Sequence, residues 1–157
     1  MTLLELMVAL GIVALLMSLA LPSFGSMLAR HRLKSAAEHL SFDMAELRFM
    51  ATQRGLPLHM HFSTGTNWCY ALATTPGCDC QVVQSCQLKT VRAKDHPGVL
   101  LAEGQNLRFD TQPGAGGHSG SAVLQGADGA QLRVALTPLG RPAVCAPGAA
   151  VPGYARC

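Results

Sequence analysis

Apolar positions change their period twice along this chain. From Leu6 to Leu21 (LMVALGIVALLMSLAL) sixteen consecutive residues carry no charge, and apolar side chains fall on every side of the helix they predict. Only Gly11 and Ser18 interrupt that surface. At 1.5 Å per residue the stretch makes a helix of roughly 24 Å, and with Met1 to Leu4 added it just reaches a bilayer's hydrocarbon thickness of about 30 Å. Pro22 removes a backbone donor and predicts a kink, and Gly25 adds a second soft point. From Leu28 to Arg54 an amphipathic pattern takes over. Leu33, Ala36, Ala37, Leu40, Met44, Leu47 and Ala51 recur at spacings of three and four, against Arg30, Arg32, Lys34, Glu38, His39, Asp43, Glu46 and Arg48. Gly55 and Pro57 end the helix.

Beyond residue 55 the period drops to two. Leu58–Phe62, Trp68–Leu72, Leu88–Ala93, Leu107–Asp110, Ala122–Gln125 and Leu132–Leu136 read as short strands, with a hairpin turn at Ala127-Asp128-Gly129-Ala130 and flexible Gly/Pro-rich stretches at 113–120 and 146–153. The predicted architecture is α+β: one long amino-terminal helix over about 1–54, kinked near Pro22, packed on an antiparallel sheet. The chain divides into a helix over 1–27 apolar enough to live in a membrane and a globular part over 28–157, made of the amphipathic half-helix 28–54 and the β-rich 56–157.

Composition narrows the class. At 157 residues, 49% hydrophobic and 13% charged, the chain has ample apolar content for one core and too few charges for intrinsic disorder. The net charge of +3 is spread over both halves, five Lys/Arg against four Asp/Glu in 1–54 and seven against five in 55–157, so neither half is a strongly basic nucleic-acid tail. A secretory signal peptide is opposed by the absence of a basic segment before the apolar run, by the lack of a small-x-small cleavage site, and by Glu5. A carboxylate at membrane depth costs at least a few kcal/mol and calls for a partner. The amino terminus is the one cation nearby, either its own or a neighbour's in an axially offset stack; alternatively Glu5 reaches the interface unaided.

The segment MTLLELMVALGIVALLMSLALP resembles the mature amino terminus of type IV pilins and type II secretion pseudopilins, with Met1, Thr2, Leu3, Leu4, Glu5, Leu6 and Pro22 matching position by position. The stretches DMAELRFMATQRG and VALTPLGRPAVC are similar to the GspH/FimT group of pseudopilins and minor pilins. The resemblance implies a pilin-like fold and removal of a leader by a prepilin peptidase, followed by methylation of the new amino terminus. It also implies residence in the bacterial inner membrane as a single-pass protein with a periplasmic domain, then incorporation into a periplasmic or cell-surface filament. The implied partners are other pilin or pseudopilin subunits, with secreted cargo or DNA as further ones. Met1, Thr2 and Glu5 become assembly and processing residues, and Gly11, Pro22 and Gly25 points of helix flexibility. The alternatives are a major filament subunit and a DNA-binding minor pilin. For the latter the implied Gly-Arg-x-Arg reads Gly140-Arg141-Pro142-Ala143, which leaves Arg133, Arg141 and Arg156 as candidate DNA contacts.

Six cysteines, Cys69, Cys78, Cys80, Cys86, Cys145 and Cys157, all lie in the β-rich part, an even count that points to disulfides in an oxidising compartment. Cys145 with Cys157 closes a Gly/Pro-rich tail and is the preferred bridge. Cys78 and Cys80 are too close to pair easily with each other, so Cys69 and Cys86 are their available partners. A four-thiolate zinc site is the rival, but the paired C-x-x-C knuckles of common structural sites are missing. His59 and His61 share one strand face without a third ligand, and His31, His39, His96 and His118 carry no ligand spacing. Ser119 sits in a glycine run without the strand-to-helix elbow that activates a serine. No enzymatic activity, cofactor or resident metal is expected.

Overall fold

The computed structural model describes residues 2–83, 86–111, 120–137 and 139–157, the side chains of 19–23 excepted. Met1 and the expected loop at 113–119, with His118 and Ser119, lie outside the described residues. The chain opens with helix α1 (Leu3–Arg54) and continues through β1 (Leu58–Ser63), β2 (Cys69–Ala73), β3 (Gln87–Arg92), a 3₁₀ turn (Ala93–Asp95), β4 (Val99–Gly104), β5 (Leu107–Phe109), β6 (Ser121–Gly126), β7 (Gln131–Leu136) and β8 (Pro142–Cys145). Two four-stranded sheets form, in the orders β3-β2-β1-β5 and β4-β6-β7-β8, and all their strand pairs are antiparallel.

The architecture expected from the sequence therefore needs correcting. In place of one kinked helix lying on one sheet, the helix passes Pro22 without interruption, and the strands divide between two sheets. By its surroundings the helix falls into two segments, a bare one up to about residue 27 and a packed one from Leu33 to Ala51. Geometry explains the division of the strands. Eight strands at about 4.8 Å spacing would spread over roughly 38 Å. A helix is only about 10 Å across, so two narrower sheets bring more apolar face within reach of its single stripe.

That stripe is the core's axis. Leu33, Ala37, Leu40, Met44, Leu47 and Ala51 are fully buried against Leu58, Met60 and Leu72 of the first sheet and Leu101, Leu124, Leu132 and Val134 of the second. Alternation in β7 follows directly, with Leu132, Val134 and Leu136 inward and Gln131, Arg133 and Ala135 on the other face. β2 is buried on both faces: Cys69 and Ala71 form a second small cluster with Cys80.

The cysteines pair as Cys69–Cys80, Cys78–Cys86 and Cys145–Cys157. The first bridge ties the β2–β3 connection back to β2 and the second closes the connection on itself, with Cys80 packed on Cys69 and Ala71. The third ties the tail to β8, where Ala146 and Arg156 form an isolated bridge. At the β6–β7 hairpin Gly129 adopts a φ of 80°, which a side-chain-bearing residue rarely does.

Candidate interaction surface

The amino-terminal end of α1 is built by local rules. Thr2 caps it, its Oγ1 accepting from the Glu5 amide at 3.3 Å, and Glu5 lies in the first turn, where a carboxylate complements the helix dipole. Ser18 donates to the Leu15 carbonyl at 2.8 Å, so the hydroxyl inside the apolar run is satisfied by the helix itself. From Leu3 to Met17 the large apolar side chains Leu3, Leu4, Leu6, Met7, Val8, Leu10, Ile12, Val13, Leu15, Leu16 and Met17 stand between 46% and 79% exposed, and Phe24 and Met27 continue the series. Gly11 and Gly25 have open space where a Cβ would stand. No other part of the described chain covers this surface. Fully burying one such side chain is worth about 1.5–3 kcal/mol, so covering half of them matches the whole net stability of a typical domain, about 5–15 kcal/mol.

Among the described residues no helix is long and apolar enough to cross a membrane, which overturns the expected single-pass inner-membrane anchor and the localisation drawn from it. The physical reason lies in the apolar run itself. Its uninterrupted part, Leu6 to Leu21, is sixteen residues against the about 20 that a span requires, with Glu5 at its amino side and Pro22, Ser23, Gly25 and Ser26 following it.

Where the helix meets the domain, polar side chains fasten it. Arg30 Nε lies 2.9 Å from Asp128 Oδ2 at the β6–β7 hairpin, Lys34 Nζ donates to the Pro152 carbonyl, and Tyr154 donates to Glu38. Burial works against the Asp128 carboxylate, yet the hydrogen bonds from Arg30 and the backbone hold it below the usual carboxylate range. Burial, followed by the Glu38 contact, pushes the Tyr154 phenol up to about 12.

Further along α1 the structure assembles a polar cluster that sequence reading missed. Asp43, on the polar side of the pattern, is 2% exposed. Its carboxylate accepts from Tyr70 Oη at 2.9 Å and from Lys89 Nζ at 2.5 Å. Burial, then the charge of Asp43 and its hydrogen bond, push the Tyr70 phenol upward. Trp68 stacks between Tyr70 and His96 and donates Nε1–H to the Val99 carbonyl at 2.7 Å. His96 meets His39 edge-on at 5.4 Å, and burial followed by the neighbouring imidazole lowers its basicity. A signal for this cluster did exist, since Asp43 follows the fully buried Leu40 and precedes Met44, but helical spacing alone assigns it to the boundary.

The cationic candidates do not converge on one point. Arg133 stands opposite Cys145 in the β7–β8 register, the end of the ladder to which Arg156 also belongs. Arg141 precedes Pro142 at the Leu136 end, roughly 10 Å along the strands. There it lines one pocket with Arg48 of α1, and Arg133 does not line that pocket. Arg133 Nε is buried without a hydrogen-bond partner.

His61 Nε2 accepts from the Gly77 amide at 3.1 Å, which ties that imidazole to the disulfide-clamped connection. His59 lies 6.1 Å from it, its basicity lowered by burial and then by His61 and Arg108. Among the described residues no three His, Cys, Asp or Glu side chains are grouped to hold a metal ion, and the four cysteines a zinc site would need are paired with one another. In comparisons with known proteins, no family model, no curated protein and no solved structure matches this chain.

Proposed function

We propose that this chain is a structural subunit of a helical filament of the type IV pilin and type II secretion pseudopilin kind, joining other subunits through the bare apolar segment of α1. The observation that carries the reading is the run of exposed apolar side chains from Leu3 to Met17 on a helix whose second half is anchored in a folded domain. A monomer with that surface in water forfeits several kcal/mol, which side-by-side packing of like helices recovers. Tight apolar packing around Gly11 brings helices close, and Glu5, the one charge in the segment, pairs with the leading amine of a neighbouring subunit to select the axial step. The disulfide-braced β domain faces outward and meets sister subunits or cargo.

The test is assembly of the purified full chain on dilution out of nonionic detergent, followed by sedimentation and electron microscopy. Wild-type protein forms regular polymers. Leu10→Glu places a charge on the bare surface and leaves domain melting unchanged, because Leu10 touches nothing in the domain, yet it abolishes polymers. Glu5→Ala gives disordered aggregates or none. Wild-type protein that stays monodisperse without detergent, or Leu10→Glu polymers identical to wild type, refutes the reading.

A further inference from the structure

The packed half of α1 turns a second surface outward. Phe42 and Phe49, 68% and 67% exposed, are seven residues apart and therefore within about 20° of each other around the helix, with exposed Ala45 beside them. Two apolar-floored pockets flank this ridge. On one side, toward edge strand β3, a pocket of about 420 Å³ is lined by His39, Phe42, Asp43, Lys89, Asp95 and His96 among others. Glu46 sits at its rim, 3.9 Å from Lys89 and 41% exposed. One ammonium, Lys89, faces the carboxylates of both Asp43 and Glu46, so this flank carries negative charge in excess, to which the exposed Asp95 adds. On the other side, toward edge strand β8, a pocket of about 390 Å³ is lined by Ala45, Arg48, Phe49, Thr52, Arg141 and Pro142.

The second pocket is lined by two arginines and by no acidic residue. Arg48 Nη1 donates to the Gly140 carbonyl at 3.1 Å, and a Cβ on Gly140 would come within 3.4 Å of Arg48 Nε, so the glycine permits the close approach. Among the described residues neither Arg48 nor Arg141 pairs with an acidic side chain. Two arginines thus line one pocket at an aromatic edge without an acidic partner among the described residues, while surplus carboxylates stand across the ridge.

We propose that these two flanks are the complementary halves of a heterologous contact between copies of this chain. The Arg48–Arg141 pocket and Phe49 of one copy seat against Glu46, Asp95 and Phe42 of the next. This rests on the reading of the chain as a filament subunit and adds where the globular domains touch. A contact between unlike surfaces leaves one free half at each end and so propagates as an open series rather than closing as a dimer. Its charged rim sets register and partner choice more than overall strength.

Charge exchange tests it in the full-chain polymerisation assay. Arg141→Glu and Glu46→Arg act on exposed or half-exposed groups outside the core. Each alone lowers the sedimenting fraction at least fivefold at low salt. The double variant, in which the exchanged charges again face each other, returns to within twofold of wild type. An equimolar mixture of the two single variants also polymerises, with the copies alternating, because the unaltered halves meet at one contact and the exchanged charges face each other at the next. Single variants that sediment like wild type, or a mixture no better than its components, overturn the contact while leaving assembly through the apolar helix standing. Wild-type protein that does not sediment overturns both.

Discussion

Replacing Tyr70 with phenylalanine isolates the most consequential polar interaction in the domain. The phenol donates at 2.9 Å to a carboxylate that is 2% exposed, and its loss leaves Asp43 with Lys89 as its one remaining side-chain donor among the described residues. The ring itself stays, so no large cavity opens and stacking against Trp68 survives. A hydrogen bond to a charged group is worth about 1.5–3 kcal/mol. Lys89 is 46% exposed, so water reaches that side of the pair and softens the penalty toward the middle of the range, about 2 kcal/mol. For a chain of this size, at about 4 °C per kcal/mol, the midpoint of thermal unfolding falls by about 8 °C. Urea unfolding of the full chain in nonionic detergent, monitored by Trp68 fluorescence, measures the difference, with an unchanged denaturant slope confirming that the folded state is the same. A Lys89→Met variant loses only about 1 kcal/mol because its ammonium is half in water, and the double variant exceeds neither single loss by a simple sum, since both donors serve one carboxylate. Should Tyr70→Phe unfold within about 0.5 kcal/mol of wild type, the argument that buried Asp43 depends on the phenol is refuted.

Acidification provides a second check. His96 and His59 both have lowered folded-state basicity, so the unfolded chain takes up protons first as pH falls below about 6.5; stability is at its full value above that point and declines below it. Urea midpoints at pH 7.5 and 5.5 show the decline, and His96→Gln reduces its slope. Removing the tail bridge by Cys145→Ser with Cys157→Ser costs about 3 kcal/mol on the chain-entropy estimate for a loop of this length, read as a lower midpoint under non-reducing conditions. Gly140→Ala destabilises by about 1–2 kcal/mol, because φ is 70° there and the added Cβ presses on Arg48; Arg48→Ala relieves part of that cost in a double-mutant cycle.

Element by element, legibility in the sequence followed from how local the governing physics is. The strands β1, β5 and β7 were readable from apolar–polar alternation, and β2, β3 and β6 as short runs of strand-forming residues between turn signals. β4 was not, since its register shifts between Leu101 and Glu103 and breaks the period. β8 was not either, because Pro142 opens it, a residue tolerated only where a strand's N–H groups need no partner, as on this sheet edge. The Asp128-Gly129 hairpin was readable, its left-handed glycine being a single-residue requirement.

What the chain's order of residues determined by itself is the pair of helical patterns, the buried stripe from Leu33 to Ala51, and the presence of an apolar surface that the rest of the protein cannot cover. Periodicity reports which side of an element is apolar, and that much needs no partner. The preferred Cys145–Cys157 bridge was legible too, whereas tertiary structure alone decided that the strands split into two sheets, that Cys69 takes Cys80 and Cys86 takes Cys78, that Asp43 is buried beneath Tyr70 and Lys89, and that Arg141 and Arg48 line one pocket. Those outcomes depend on which distant segments are brought together, and a one-dimensional pattern does not encode the distance between residues forty or ninety positions apart.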